Sequence, residues 1–484
     1  MLNQTNDTLT PAAPINGAAI FKLALVPPAA TDGNDHAPTT KTTPTRFNLT
    51  DLGNAERIAQ RHGADLRFCA DWGKWLAWDD RRWTRDKSGV IYRRSKDTVR
   101  SIYNEVASET NDKERKAIAD HARQSESGKH IREMIGLAQG ELPVTPDALD
   151  RDGWLLNCSN GTVDLHTGAL REHRREDFLT KLAPVEYDPS ARADRWRSML
   201  ERILPDDDVR AYFQKAVGYS LTADVSEQVL FFCYGTGANG KSTALKAIME
   251  TMGEYSKQAA PQLLLAGERH PTEIADMAGA RLVAAIEVGK GKRMAEALVK
   301  QMTGGDRQKG RFMRQDFFEF DPTAKIFLIA NHKPVIQGTD NAIWRRIRLI
   351  PFTVTIPDEE KDPDLPNKLR GELPGILNWC LEGCLQWQAD GLKAPDKVRV
   401  ATNAYRAQMD VVQSFLDERC ILNDKATVKA KDLYTAYKTW CDASGETAKS
   451  STWFGEHMAT QFDKMRTKAG FEYIGIGLVV TPTG

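Results

Sequence analysis

The chain has no apolar run long enough to cross a bilayer, so no helical membrane anchor and no membrane partner are expected. It has no excess of either charge: 66 Lys and Arg balance 66 Asp and Glu. Affinity for a polyanion must then come from local patches rather than from the field of the whole chain. Cysteine is sparse and unpaired in pattern. Of seven, Cys380 and Cys384 stand four apart in a helical stretch with no second Cys/His pair nearby. That reads as buried thiols in a reducing cytoplasm rather than as a zinc site or a disulfide framework. The N-terminus lacks the charged segment, apolar core and cleavage site of a secretory signal. Residues 1–45 are instead rich in Pro, Thr, Ala and Asn and are expected to form a disordered tail, with Ile20 to Val26 a short apolar island in it. A length of 484 residues suggests about three domains.

What the sequence does have is Gly235-Thr236-Gly237-Ala238-Asn239-Gly240-Lys241-Ser242, which matches G-x-x-x-x-G-K-[ST] at every fixed position. An apolar run, Val229 to Tyr234, precedes it, and a helical run from Thr243 to Met249 follows. A buried strand, a glycine loop and a helix N-terminus in that order aim backbone N–H groups at one point. On this reading Gly235 to Thr243 cradle the phosphates of ATP. Lys241 reaches the β- and γ-phosphates, and the Ser242 hydroxyl completes the shell of a Mg²⁺ ion.

Around this motif the pattern divides. Asn48 to Arg61 reads as a capped helix, and Leu66 to Trp83 as a hairpin whose Trp72, Trp75, Trp78 and Trp83 suit core packing better than base stacking. Residues 92–138 are charged and helical in period. Leu155 to Leu165 carries an Asn160-Gly161 turn between apolar runs, a hairpin signal. Helices fill 191–225, and strands then alternate with helices to Phe352, as in an α/β nucleotide-binding domain. Beyond a polar connection at Asp390 to Pro395, amphipathic helices are expected at Val411–Leu422 and Val428–Cys441. Another follows Ser450, and Phe471 to Val480 reads as a closing ribbon. Three helices and a ribbon suggest a winged helix-turn-helix that binds DNA; a helical cap for assembly is the alternative.

A phosphate loop needs a carboxylate on a neighbouring strand for the metal and the attacking water. Arg281 to Glu287 supplies an apolar strand ending in Glu287, although no second acidic residue follows. The strand Lys325 to Ala330 ends in Asn331, whose amide suits a γ-phosphate sensor. Arg345 and Arg346, set among Trp344, Ile347 and Leu349, are candidates to neutralise charge on a neighbouring subunit's ATP. Between Arg281 and Arg314, nine Lys/Arg face three Asp/Glu. Gly304 to Phe320 alternates as a hairpin whose Lys309, Arg311 and Arg314 suit a phosphate backbone.

Taken together, these residues resemble the superfamily 3 helicases, and more closely the phage and plasmid primase-helicase family, which shares its module with the poxvirus-type replicative helicase. The resemblance is carried by residues 235–242, Glu296 to Asp306, Arg311 to Arg314, Asn331 to Pro334, Gly338-Thr339-Asp340 and Trp344 to Ile347. Asn160 to Leu165 with Thr167-Gly168, and Tyr434 to Trp440, are similar to the family's flanking parts. The resemblance implies an α/β fold: an AAA-like P-loop ATPase core at 191–388, after an α+β domain at 46–190 and before a small winged-helix domain at 389–484. It implies a homo-hexameric ring encircling DNA, with ATP between subunits and Lys241, Ser242 and Glu287 on one side. Arg346, or else Arg345, would supply the arginine finger from the next subunit. It also implies ATP- and Mg²⁺-dependent DNA unwinding in phage or mobile-element replication, in a bacterial cytoplasm. Only about 45 residues precede the globular pattern, so primer synthesis is expected from a separate primase or polymerase. An ATP-driven origin initiator or loader, or a DNA-binding assembly switch without enzymatic activity, would carry the same motifs.

Overall fold

The computed structural model describes residues 47–267, 271–286, 292–314, 316–336, 338, 341–459, 461–467 and 470–479. The expected tail at 1–45, Glu287, Thr339 and Asp340 lie outside the described residues.

The first helix of the described residues is α1 (Asp51–His62), whose first turn is capped by Thr50 accepting the Gly53 N–H. Strands β1 (Leu66–Cys69), β2 (Lys74–Trp78) and β3 (Trp83–Arg85) follow. The expected two-stranded hairpin is therefore a three-stranded antiparallel sheet. Asp80 adopts φ 71° between β2 and β3, and an aspartate tolerates that left-handed turn. Trp75 and Trp83 are buried, as packing residues should be. Helices α2 (Val90–Ser108), α3 (Asp112–Ser125) and α4 (Gly128–Glu141) complete this part. Ile91, Val99, Ile131 and Met134 share its core with α1 and the sheet.

Next come β4 (Leu155–Cys158), β5 (Gly161–Asp164) and β6 (Ala169–Arg171). The β4–β5 loop is Ser159-Asn160, because Gly161 already pairs with Cys158; the turn lies one residue earlier than the Asn-Gly signal suggested. Leu156, Cys158, Val163 and Leu165 are buried in the same core as the parallel sheet that follows.

That sheet follows α5 (Asp194–Ile203) and α6 (Asp207–Tyr219). It is built through β7 (Leu230–Tyr234), α7 (Lys241–Met252), β8 (Ser256–Ala259), α8 (Pro271–Ala275), β9 (Leu282–Ile286) and α9 (Glu296–Gly304). The chain then makes the short strands β10 (Gln308–Gly310) and β11 (Phe318–Phe320), followed by β12 (Lys325–Ala330), α10 (Asn341–Trp344) and β13 (Ile347–Pro351). Helices α11 (Leu365–Arg370), α12 (Leu373–Asp390) and α13 (Asp396–Met409) pack around it. Five strands run parallel in the order β13-β7-β12-β9-β8. Central parallel strands are covered on both faces, so they read as unbroken apolar runs, and the pleat sorts their side chains. Phe231, Cys233, Phe327 and Ile329 join α5, α6, α7 and α12 on one face. Leu230, Phe232, Ile326 and Leu328 join α9, α10 and Tyr405 of α13 on the other.

Two buried cations tie the base of this sheet to the preceding segment. Arg281 donates to the carbonyls of Leu221 (2.6 Å) and Leu155 (2.9 Å) and lies 4.4 Å from the Tyr255 ring centre. It is therefore structural and does not belong to the basic surface counted from the sequence. Lys325 donates to the carbonyls of Thr222, Asp224 (3.1 Å) and Thr323 (2.9 Å). Burial, with the Arg281 charge adding to it, pushes the Lys325 ammonium well below the usual lysine range.

The last part is α14 (Val411–Arg419), β14 (Cys420–Lys429), α15 (Ala430–Ser444), α16 (Ser451–Ala459), β15 (Lys464–Thr467) and β16 (Gly470–Leu478). Its sheet order is β14-β16-β15. The helix expected to reach Leu422 stops at Arg419, and Ile421 and Leu422 are exposed on β14. Phe415, Tyr437, Phe454 and Tyr473 pack at the centre. All seven cysteines are free, and Cys380 and Cys384 are buried thiols. Among the described residues no helix is long and apolar enough to cross a membrane.

Candidate active site

The phosphate-loop strand β7 lies between β13 and β12, so its C-terminal loop emerges beside the tip of β12. Carboxyl ends of parallel strands are where open α/β sheets bind ligands. Gly235 follows β7 directly. A Cβ there would sit 2.2 Å from both Asn239 Nδ2 and the Phe352 carbonyl oxygen, so only glycine allows the loop to lie against the end of β13. Gly237 and Gly240 take φ values of 111° and 74°, and Ala238 takes 45°. Ala238 is held in place by its carbonyl, which accepts the Ile356 N–H at 2.7 Å.

Helix α7 starts at Lys241 with Gly240 as its N-cap and no side chain capping it. The first-turn N–H groups of Lys241, Ser242 and Thr243 are thus left to an external acceptor, which suits an anion. The Ser242 side chain is exposed at that turn, and Thr236 is exposed on the loop.

Lys241 is only 5% exposed. Its ammonium donates to the Gly235 carbonyl (2.8 Å), Asn239 Oδ1 (2.7 Å) and Asn331 Oδ1 (3.2 Å). Burial lowers its pKa from the ordinary lysine value. An ammonium has three N–H donors, and all three are engaged. Asn331, just beyond β12, is exposed; its oxygen faces Lys241, so its amide nitrogen remains a donor for a phosphate or a water. The sequence reading brought Lys241 and Asn331 to one site, and the structure places them in contact. The Asn239 side chain is buried and donates to the Phe352 carbonyl (3.3 Å) while accepting from Lys241. It positions the lysine from beneath the loop.

The two arginines part company. Arg346 is 8% exposed, donating from Nε to Thr303 Oγ1 (3.1 Å) and from Nη1 to the Ala342 carbonyl (2.6 Å). Arg345 is exposed. The first choice for a finger is therefore bonded within its own chain, where it braces α9 against the start of β13. Adjacent arginines before a strand point to opposite sides, and the sequence does not say which side is solvent.

Motif residues distant in sequence converge on Gly338. Glu296 accepts the Gly338 N–H (3.0 Å), and the Trp344 indole donates to the Gly338 carbonyl (3.0 Å). Lys333, part of the Asn331 to Pro334 motif, bonds Gln408 of α13 (2.7 Å). It lies 4.9 Å from the Tyr234 ring centre and 5.5 Å from that of Tyr405. It thereby joins the end of β7 and the β12 tip to α13.

The expected hairpin forms as β10–β11, with Lys309 opposite Glu319. Lys309, Arg311 and Arg314 are exposed, and Arg314 takes φ 62° beyond the paired residues. Arg307 instead pairs with Asp321 (3.1 Å) and Glu319 (4.0 Å).

Family comparison matches three stretches of the chain. Residues 55–205 match D5 N terminal like, 233–346 a family of unknown function, and 407–474 Poxvirus D5 protein-like. A candidate helicase of Acanthamoeba polyphaga mimivirus is 26% identical over 319 residues, covering 60% of this chain and 33% of that protein. A candidate helicase of Frog virus 3 (isolate Goorha) is 25% identical over 389 residues, covering 62% and 40%. A candidate primase of African swine fever virus is 23% identical over 329 residues, covering 61% and 34%. The chain thus spans a third to two fifths of the length of these relatives. The apo structure of the NrS-1 C terminal region (305–718) aligns with 89% of this chain and 100% of its own, at a TM-score of 0.48 and 11% identity. With D5-type matches on both sides of the Gly235–Ser242 loop and relatives named as helicases and primases, the chain is similar to the phage and viral superfamily 3 primase-helicase family.

Proposed function

We propose that the chain is an ATP- and Mg²⁺-dependent DNA helicase that works as a ring on replicating DNA. The observation that carries this reading is the Lys241–Asn331 contact, which joins the phosphate loop to the tip of the neighbouring strand. In the proposed cycle the γ-phosphate replaces Asn331 Oδ1 as the partner of Lys241, which frees the Asn331 amide to orient the attacking water. The uncapped N–H groups of α7 hold the remaining phosphate oxygens. Ser242 would hold the Mg²⁺, which neutralises phosphate charge; Glu287 is proposed as its carboxylate partner on sequence position alone. Arg345 is the better placed finger, since Arg346 is occupied within the protomer. The hairpin residues Lys309, Arg311 and Arg314 are proposed to follow the DNA backbone, and the α14–β16 unit to act as a winged helix.

The test is displacement of one strand from a forked DNA duplex, with Lys241→Ala in parallel. The expected result is ATP-dependent displacement by the wild type and none by the variant. DNA-stimulated hydrolysis without displacement would replace the helicase by an origin initiator or loader.

A further inference from the structure

Strand alternation gives the β10–β11 hairpin two faces. On the inner face Gln308 and Gly310 are buried; a Cβ on Gly310 would lie 2.7 Å from the Ala275 backbone nitrogen of α8. Phe312, Phe318 and Phe320 line this side as half-buried rings, with centres 5.5 Å and 5.7 Å apart. Packing explains them. The outer face carries Lys309, Arg311, Phe317 and Glu319, all exposed.

Phe317 is 50% exposed, and Met313 near the turn is 72% exposed. No core claims this ring. Instead Lys309 Nζ lies 5.3 Å from its centre and the Arg311 guanidinium carbon 4.8 Å. Two cations parked over one exposed aromatic make a surface with a π-face and positive charge together, the pair of features that sequence-tolerant single-strand binders combine. The negative groups nearby are Asp316, beside the ring in sequence, and Glu319, which lies 4.0 Å from Arg307.

We propose that Phe317 is a stacking platform for one base of single-stranded nucleic acid, with Lys309 and Arg311 moving from the ring to the flanking phosphates when the base arrives. The proposal rests on the DNA reading above and adds a base contact to what was a backbone contact. A ring of this kind accepts any base, so it suits translocation without sequence preference.

The experiment measures binding of the full chain, by fluorescence anisotropy at fixed salt, to a labelled thymidine oligonucleotide and to an abasic chain of equal length. The wild type should prefer the thymidine strand by about tenfold. Phe317→Ala should bind both strands at the abasic level, with unchanged thermal stability and DNA-free ATPase, while Phe317→Trp should keep the preference. Lys309→Ala with Arg311→Ala should weaken both strands alike. If Phe317→Ala keeps the full preference, the proposal is overturned. Loss of assembly on sizing with the preference intact would assign Phe317 to a subunit contact and overturn it equally. A wild type that binds neither strand would reject the DNA reading itself.

Discussion

At the scale of residues, the candidate site is defined by what its side chains already hold. Lys241 has three donors and three protein acceptors, so on the proposed reading nucleotide entry would be an exchange of partners, and the longest of the three bonds should yield first. The arginines make the sharpest residue-scale prediction. Arg346→Ala removes charge-assisted bonds to Thr303 and Ala342 and should cost about 2 kcal/mol of stability, lowering ATPase through the fold. Arg345→Ala should change stability by less than about 0.5 kcal/mol yet lower hydrolysis roughly a thousandfold with ATP binding spared. Denaturant unfolding and ATPase assays on both variants decide it. Wild-type stability with no hydrolysis in Arg346→Ala would return the finger to Arg346.

At the scale of elements, close crossings depend on residues that look incidental. A Cβ on Gly218 of α6 would lie 2.1 Å from the Cys384 nitrogen and 2.2 Å from the Gly383 carbonyl carbon of α12. Gly218→Ala should therefore destabilise the protein by about 3 kcal/mol in denaturant unfolding. Gly136→Ala in α4, with nothing within 4 Å, should instead stabilise it by about 0.5 kcal/mol. Such crossings are tertiary facts, and no local pattern announced them. What was legible had a local cause. β7 and β12 are unbroken apolar runs because both faces are covered, and the phosphate loop is a contiguous motif. β14 was missed because Leu422 to Lys425 are exposed, which gives no alternation to read. The third strand of the N-terminal sheet was missed because its turn uses Asp80 without a glycine.

At the scale of the whole molecule, the sheet is not self-sufficient. Arg281 takes an acceptor from Leu155 and another from Leu221. The same neighbourhood is closed by Gly153, whose carbonyl accepts the Ala223 N–H at 3.0 Å. A chain beginning at residue 191 would strip a buried guanidinium of its Leu155 carbonyl, a loss of about 1.5–3 kcal/mol, and would also uncover the apolar residues of β4 and β5 that share the core. It should be insoluble or unfold without a cooperative transition, whereas a chain beginning at residue 150 should melt cooperatively; soluble yield and thermal unfolding of the two check this. The Arg281 knot also bears on how such chains diversify. Recombination at residue 190 would graft the sheet onto a foreign partner with a stranded cation, and a cut at 390 would remove α13 with Tyr405 from its core, so viable hybrids should inherit 150–409 as one indivisible cassette.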